Sequence, residues 1–168
     1  RHHLLCGTTP GRTLRRQALT MDLKASFLLF LPFLVSFASC GQTAPQIDYG
    51  KAECAHCRMN VVDQRFAAAL VTQAGRQYVF DGPECMVPFV AKGTVAEAQV
   101  ASWYVCDHAH PGTLLDATKA FYVHGAAFRS PMRGDVAAFA TAEERDAAQA
   151  RDGGDKLDWT QAKLLLQQ

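Results

Sequence analysis

The stretch FAAALVTQAGRQYVFDGPECMVPFVA, residues 66–91, decides the fold. Its first part, Phe66–Thr72, is an apolar run of strand length, and residues 77–80 form a second run of the same kind. The segment between them, Gln73-Ala74-Gly75-Arg76, is typical of a turn. Two strand-like runs separated by a short glycine-containing segment predict a β-hairpin.

A helix is predicted directly after this hairpin. Asp81-Gly82-Pro83 offers a capping residue followed by a proline, which suits the first turn of a helix. The expected helix spans residues 84–91, and Pro88 inside it is expected to kink or shorten it. The stretch therefore encodes one ββα-type unit.

The second half of the chain has the features of another such unit. Its expected elements, in order, are a strand over residues 99–106, a loop over 107–112, a strand over 120–123, a helix from about 135 to 150, a short strand over 156–159 and a helical tail. Both Tyr78–Phe89 and Tyr122–Phe139 combine a strand, a turn, a proline and a methionine, which indicates an internal duplication. We therefore predict an α+β fold of two small related ββα-type units, about residues 51–95 and 96–168, mainly antiparallel sheet with one or two helices each.

The composition excludes several classes of function. The chain has 168 residues, a formal net charge of +1 and 49% hydrophobic residues, which suits one compact domain or two very small ones. No excess of basic residues points to nucleic acid. No nucleophile–base set, glycine-rich phosphate loop or HExxH helix stands out, so the protein is not expected to be an enzyme.

A cluster of metal-binding side chains precedes the hairpin, in Glu53–Met59. It holds two thiols, Cys54 and Cys57, together with the imidazole of His56 and the thioether of Met59. Thiolate and thioether favour a soft ion such as Cu(I), whereas zinc takes thiolate and imidazole and rarely methionine. In an extended segment Cys57 and Met59 lie on one face, so both can reach one ion. The alternative is a disulfide or a structural thiol pair, with Met59 filling the core.

The N-terminal region is typical of a bacterial leader. Residues 1–20 contain four arginines and no acidic residue, and we interpret them as an upstream extension outside the mature protein. Residues 21–39 are a predicted signal peptide. In it Lys24 precedes the apolar run 25–38, which is too short for a typical membrane span.

Cys40 is the predicted lipid attachment site. Phe37-Ala38-Ser39-Cys40 resembles the lipobox of bacterial lipoproteins, whose cysteine is acylated and becomes the new N-terminus. The alternative is an ordinary signal peptide cleaved nearby. Gly41 stands in place of the aspartate associated with inner-membrane retention, which favours the outer membrane. We therefore expect a periplasm-facing protein with a lipidated tether over residues 40–50, in an oxidising compartment.

Four cysteines remain in the predicted mature domain: Cys54, Cys57, Cys85 and Cys106. They allow three disulfide pairings, between which the sequence does not decide. They also allow two other functions. One is a periplasmic thiol–disulfide oxidoreductase using Cys54 and Cys57, which requires this dithiol to lie at a helix N-terminus. The other is a zinc-stabilised binding module with all four cysteines as ligands.

Further donors lie in the second half of the chain. Met132 sits in the turn Ser130–Gly134, where an exposed ligand and a packing contact both agree with the pattern. Met86 and its neighbour Cys85, on the first expected helix, are expected in the core rather than as ligands. His108 and His110 have the side chains for a divalent metal, although surface histidines without a ligand role are commoner.

Together these residues resemble the NosL family, copper-binding lipoproteins that assist the maturation of nitrous oxide reductase. In that family a lipid-bearing cysteine precedes a Cys-x-x-Cys-Gly-Met segment, which corresponds here to Cys54–Met59. A later Pro-Met-Gly turn corresponds to Pro131–Gly134. Two arginines depart from the pattern: Arg58 stands where glycine is usual, and Arg133 is inserted before Gly134.

The resemblance implies a non-enzymatic, lipid-anchored Cu(I) chaperone. Its expected ligands are Cys57 and Met59, with Met132 brought in from the second unit and with Cys54 and His56 as further candidates. The implied partner is the membrane-associated maturation complex that supplies the copper centres of nitrous oxide reductase. Transfer is expected to proceed by ligand exchange, because a low-coordinate thiolate–thioether site leaves a position open for an incoming ligand.

Overall fold

The computed structural model describes residues 44–167. The predicted extension, signal peptide and lipid attachment site at Cys40 lie outside these residues. The elements are, in order, β1 (Ala68–Thr72), β2 (Gln77–Phe80), α1 (Pro83–Ala91), β3 (Val100–Cys106), β4 (Leu114–Asp116), β5 (Phe121–His124), β6 (Val136–Phe139), α2 (Ala142–Asp152), β7 (Asp155–Leu157) and α3 (Trp159–Leu166). Within residues 44–167, no helix has the length and apolar character needed to span a bilayer.

The first sheet has four antiparallel strands in the order β2-β1-β3-β4. The predicted hairpin is confirmed, since β1 pairs with β2 and places Leu70 opposite Tyr78. On its other side β1 pairs with β3, which places Leu70 opposite Trp103. All five residues of β1 are buried, so this strand is the centre of the sheet. The sequence did not predict β4, because three residues are too few to show a periodicity.

Helix α1 begins at Pro83, in agreement with the sequence, and Gly82 is its N-cap. A proline suits this position because its missing N–H has no partner within a helix in any case. The helix continues through Pro88 to Ala91, so the second proline does not end it. Met86 lies in its buried face, as expected, and the helix packs against β1, β2 and α3.

The second sheet has three antiparallel strands in the order β6-β5-β7. One prediction was wrong here, because the helix expected over residues 135–150 begins only at Ala142, after the N-cap Thr141. Residues Val136–Phe139 form β6 instead, and all four are buried. A short apolar run does not distinguish a buried strand from a buried helix, so pairing with β5 decides the conformation.

Smaller differences concern the ends of elements. The strand expected over residues 120–123 is β5 at Phe121–His124. The strand expected over residues 156–159 is β7 at Asp155–Leu157. Trp159 already belongs to α3, because Asp158 caps that helix.

The two sheets share one topology. In each, the first strand lies in the centre, the second strand pairs on one side, and the strand after the helix pairs on the other. The predicted α+β fold of two related units is confirmed, and each unit contains a ββαβ arrangement, to which the first unit adds β4. Two details differ from the prediction. β3 and β4 join the first sheet, so the units divide after Asp116 rather than at residue 95, and the counterpart of β2 is β6 rather than β5.

The folded domain begins earlier than residue 51. Ile47 and Tyr49 pack against the core, and Tyr49 Oη lies 3.2 Å from the sulfur of Cys106. The backbone N–H of Gly50 donates to the carbonyl of Val61 at 2.8 Å. Residues 47–50, which were predicted to belong to the tether, are therefore part of the folded domain.

Candidate metal centre

The segment Cys54–Met59 is a closed loop attached to the first sheet. The Cys54 N–H donates to the carbonyl of Met59 at 2.8 Å, and the Arg58 N–H donates to the carbonyl of Cys54 at 3.1 Å. The Ala55 N–H donates to the carbonyl of Val79 in β2 at 2.9 Å. Because β2 leads directly into α1, this last bond places the loop close to the start of that helix.

Three thiols converge at this point. The sulfur atoms of Cys54, Cys57 and Cys85 lie within 4.8 Å of one another. Cys54 and Cys85 are fully buried and Cys57 is half-buried, and all three are free thiols. The predicted pair therefore gains Cys85, which the sequence analysis considered as a ligand only for the alternative zinc module. The available signal was a cysteine in the first turn of a helix that directly follows a hairpin.

Hydrogen bonds among these sulfurs set their protonation. The thiol of Cys85 donates to Cys54 and lowers the pKa of Cys54 to about 4, although burial opposes the shift. Backbone N–H groups add to this effect, from His56, Cys57 and Asp81. The same side-chain bond raises the pKa of Cys85, and burial raises the pKa of Cys57. Within the cluster, the thiolate form is therefore favoured at Cys54 rather than at Cys57 or Cys85.

Asp81, the residue after β2, brings an acidic group next to this thiolate. It is only 1% exposed, and within the described residues its Oδ1 atom has no hydrogen-bond partner. Burial raises the pKa of Asp81, and the charge of Cys54 raises it further. A soft cation at the sulfurs would offset the repulsion between these two groups. The donor set therefore fits such a cation in charge as well as in softness.

The methionines predicted as ligands are exposed beside this cluster. Met59 is 54% exposed and Met132 is 40% exposed, so the alternative of Met59 as a core residue is wrong. The turn of Met132 is closed by reciprocal hydrogen bonds between Ser130 and Asp135, at 3.0 and 2.8 Å. The Met132 N–H donates to Oε1 of Glu84 at 3.3 Å, one residue before Cys85. The fold thus brings the turn of the second unit to the start of α1.

His56, which was predicted as a further metal ligand, interacts with the cluster through its backbone. His56 supplies a backbone N–H to the sulfur of Cys54. Among the described residues, the donor atoms that converge at the cluster are the three sulfurs, and the imidazole of His56 does not join them.

The chain matches the NosL family over residues 47–164, a span that includes both sheets. It belongs to the NosL family. No curated protein matches it. Among solved structures, the fold is similar to that of the copper chaperone NosL from Shewanella denitrificans, with a TM-score of 0.61 and 20% sequence identity. The similarity covers 70% of this chain and 93% of that chain, and it confirms the fold.

In this NosL family member, the two arginines that depart from the family pattern both have a backbone conformation that favours glycine. Arg58 has a φ of 68° and Arg133 a φ of 64°, so both lie in the left-handed region that favours glycine. A residue with a side chain is less stable there by about 1 kcal/mol. Gly134 has another reason to be glycine, because an added Cβ would lie 2.7 Å from Cβ of Glu84 and 2.9 Å from Leu166 Cδ2.

The geometry disfavours the two other functions considered for these cysteines. Cys106 lies outside the cluster and contacts Tyr49, so the described residues assemble three thiols rather than the four of a zinc module. Cys54 and Cys57 lie in a loop rather than at a helix N-terminus. The more exposed thiol, Cys57, has the raised pKa, whereas a reactive cysteine combines exposure with a lowered pKa.

The two histidines after β3 have different environments. His108 packs edge-on or tilted against three rings, those of Phe66, Phe128 and Phe139, at centroid distances of 5.3 to 5.6 Å. His110 is exposed, and its Nδ1 lies 2.9 Å from Asp107 Oδ2 and 3.7 Å from Glu144 Oε1. The hydrogen bond with Asp107 raises the pKa of His110. His108 is thus a packing residue, and His110 is an exposed residue paired with the buried carboxylate of Asp107.

Proposed function

We propose that this NosL family member is a Cu(I) chaperone. In this proposal it binds one copper ion at its sulfur cluster and passes it to the membrane-associated complex that assembles the copper centres of nitrous oxide reductase. The observation that carries the proposal is the convergence of three cysteine sulfurs, Cys54, Cys57 and Cys85, beside two exposed methionines. Thioether donors together with thiolates favour Cu(I) over zinc, which takes thiolate but rarely methionine. The fold shared with a copper chaperone supports it further.

The differences in exposure assign different tasks to the ligands. Cys54 and Cys85 are buried, so they hold the ion from the protein side. Cys57, Met59 and Met132 face the surface, where an incoming ligand from a partner protein can replace them one at a time. Nothing is chemically transformed in this exchange, so the protein acts as a carrier and not as an enzyme.

We expect one equivalent of Cu(I) to bind with high preference over zinc. The mature protein, purified anaerobically with reductant, should bind about one Cu(I) per chain because its converging donors are sulfurs. Metal analysis and competition with a coloured Cu(I) chelator measure the stoichiometry and the affinity. Stoichiometric zinc that Cu(I) does not displace would contradict the proposal.

The proposed site of action is the periplasmic face of a membrane, with the outer membrane favoured over the inner. The support is the lipobox-like sequence Phe37–Cys40 after an apolar run. The folded domain already includes Ile47, which leaves a short tether between the predicted lipid and the domain. A tether of this length would keep the domain near the membrane, where its partner complex is proposed to lie.

Replacement of Cys40 tests the anchor separately from copper binding. Cys40→Ser should abolish labelling with a radioactive or clickable fatty acid, because serine has no thiol for the thioether-linked lipid. Fractionation should then find an unprocessed precursor or a soluble protein. Cys106→Ser is the matched control and should remain acylated. A Cys40→Ser protein that still carries lipid would disprove the assignment.

A further inference from the structure

The side chain of Glu84 lies where the two units meet at the copper site. Glu84 is the second residue of α1 and directly precedes Cys85. Its Oε1 accepts the N–H of Met132, a residue of the second unit. Two glycines enclose it, since an added Cβ at Gly134 would lie 2.7 Å from Cβ of Glu84 and one at Gly82 would overlap its carboxylate. The surroundings are thus shaped around this one side chain.

The carboxylate of Glu84 is unfavourable for stability where it stands. Within the described residues, its Oε2 atom is buried without a hydrogen-bond partner. Burial raises the pKa of Glu84, and hydrogen bonding by Ser130 and Met132 only partly opposes this. A buried acceptor without a partner costs about 1–3 kcal/mol. Folding alone does not account for a carboxylate that carries this cost.

The turn that carries Met132 depends on outside contacts for its position. Its internal hydrogen bonds, between Ser130 and Asp135, fix its shape but not its distance from α1. Met132 itself is 40% exposed, so packing of its side chain holds the turn only in part. The hydrogen bond to Glu84 joins the backbone of Met132 directly to the residue before Cys85.

We propose that Glu84 is a positioning residue, which holds the Met132 turn against the start of α1 so that the Met132 thioether reaches the cysteine cluster. This inference rests on the proposed copper function. A ligand already held near the ion adds to affinity without the entropic cost of ordering a free turn. Glu84 acts through Met132 and need not touch the metal.

Two variants of similar size separate this role from a structural one. Glu84→Gln keeps an oxygen that accepts the Met132 N–H, so Cu(I) affinity should stay within about twofold of the parent. Glu84→Leu removes the acceptor and should weaken Cu(I) binding about tenfold, as is typical when a group that orients a ligand is lost. The Leu variant should be as resistant to urea as the parent, or more so, because it removes a buried carboxylate oxygen, Oε2, that has no partner among the described residues. Lower affinity without lower stability is not expected of a merely structural residue.

A double-mutant cycle tests whether the effect passes through Met132. Met132→Leu should weaken Cu(I) binding by a similar factor, and adding Glu84→Leu to it should cause little further loss, since both changes remove the same ligand. Losses that multiply would overturn the inference, because Glu84 would then act independently of Met132. A Glu84→Leu protein with parental affinity would overturn it too. Unchanged copper binding by Met132→Leu would refute both the inference and Met132 as a ligand.

A measurement without copper distinguishes failure of this inference from failure of the proposed function. In the full mature protein labelled at methionine methyl groups, Glu84→Leu should shift and sharpen the NMR signal of Met132 but not that of Met59. Glu84→Gln should leave both unchanged. If the parent binds no Cu(I), the proposed function fails, and these methyl spectra alone decide whether Glu84 positions the turn. An unaltered Met132 signal in Glu84→Leu would refute the positioning role.

Discussion

Cys57→Ser is expected to lower the affinity of the protein for Cu(I) by about 100-fold or more. Loss of a group that merely orients a metal ligand typically costs 10–100-fold, and loss of the ligand itself should cost at least as much. A hydroxyl is a hard, neutral donor and does not replace a thiolate on a soft ion. Because Cys57 is only half-buried, the substitution should leave folding almost unchanged. Competition with a coloured Cu(I) chelator, under anaerobic conditions, measures the effect.

Cys106→Ser is the matched control for this experiment. Cys106 is a free thiol of the same domain, but it lies outside the cluster and contacts the hydroxyl of Tyr49. Serine can keep that contact, so Cu(I) affinity should stay within about twofold of the parent. Equal losses in the two variants would mean that a general property of the fold, and not the three-sulfur cluster, determines copper binding.

Gly154→Ala is expected to destabilise the protein by roughly 2–4 kcal/mol. Gly154 has a φ of 104°, which a residue with a side chain rarely adopts. An added Cβ would lie 2.5 Å from the carbonyl oxygen of His124 and 3.0 Å from Val123 Cγ1. The clash is with backbone of β5, the central strand of the second sheet, so it is not relieved by a side-chain rotation. Urea unfolding measures the loss.

An alanine at the neighbouring glycine, Gly153, measures the cost of the backbone conformation without the cost of a clash. Gly153 has a φ of 76°, but an added Cβ there meets nothing within 4 Å. Gly153→Ala should therefore cost about 1–3 kcal/mol, less than Gly154→Ala, from the backbone conformation alone, because φ 76° with ψ −168° is a region open essentially only to glycine. If both alanine variants lost the same stability, the close approach of Gly154 to β5 would contribute nothing, and the second sheet would tolerate a shift of that strand.

The first unit was predictable because its signals are local. Two apolar runs around a glycine turn form the hairpin, and Pro83 begins the helix where a proline is tolerated best. The second unit was less predictable at one point. Val136–Phe139 carries no periodicity that separates strand from helix, and only pairing with β5 makes it a strand. The order of strands in each sheet likewise depends on pairing between distant residues.

The residues of the site likewise divide into those that local sequence indicates and those that only the structure indicates. Residues 54–59 hold several potential metal donors within one short segment. Met132 was a candidate because it lies in a turn between a proline and a glycine. For Cys85 the local signal was only its place in the first turn of a helix, and Glu84 had none, because the importance of both residues comes from where α1 begins relative to the cysteine loop.

The amino-acid sequence by itself determined the kind of donors this protein offers and the local elements that carry them. Thiols and thioethers have their affinity for soft ions wherever they lie, since that is a property of the sulfur atom. Tertiary structure alone decided that Cys85 joins the cluster, that Cys106 does not, and that Gly154 is more constrained than Gly153. These outcomes depend on distances between atoms far apart in the chain, which are set by packing and strand pairing and have no counterpart in local sequence.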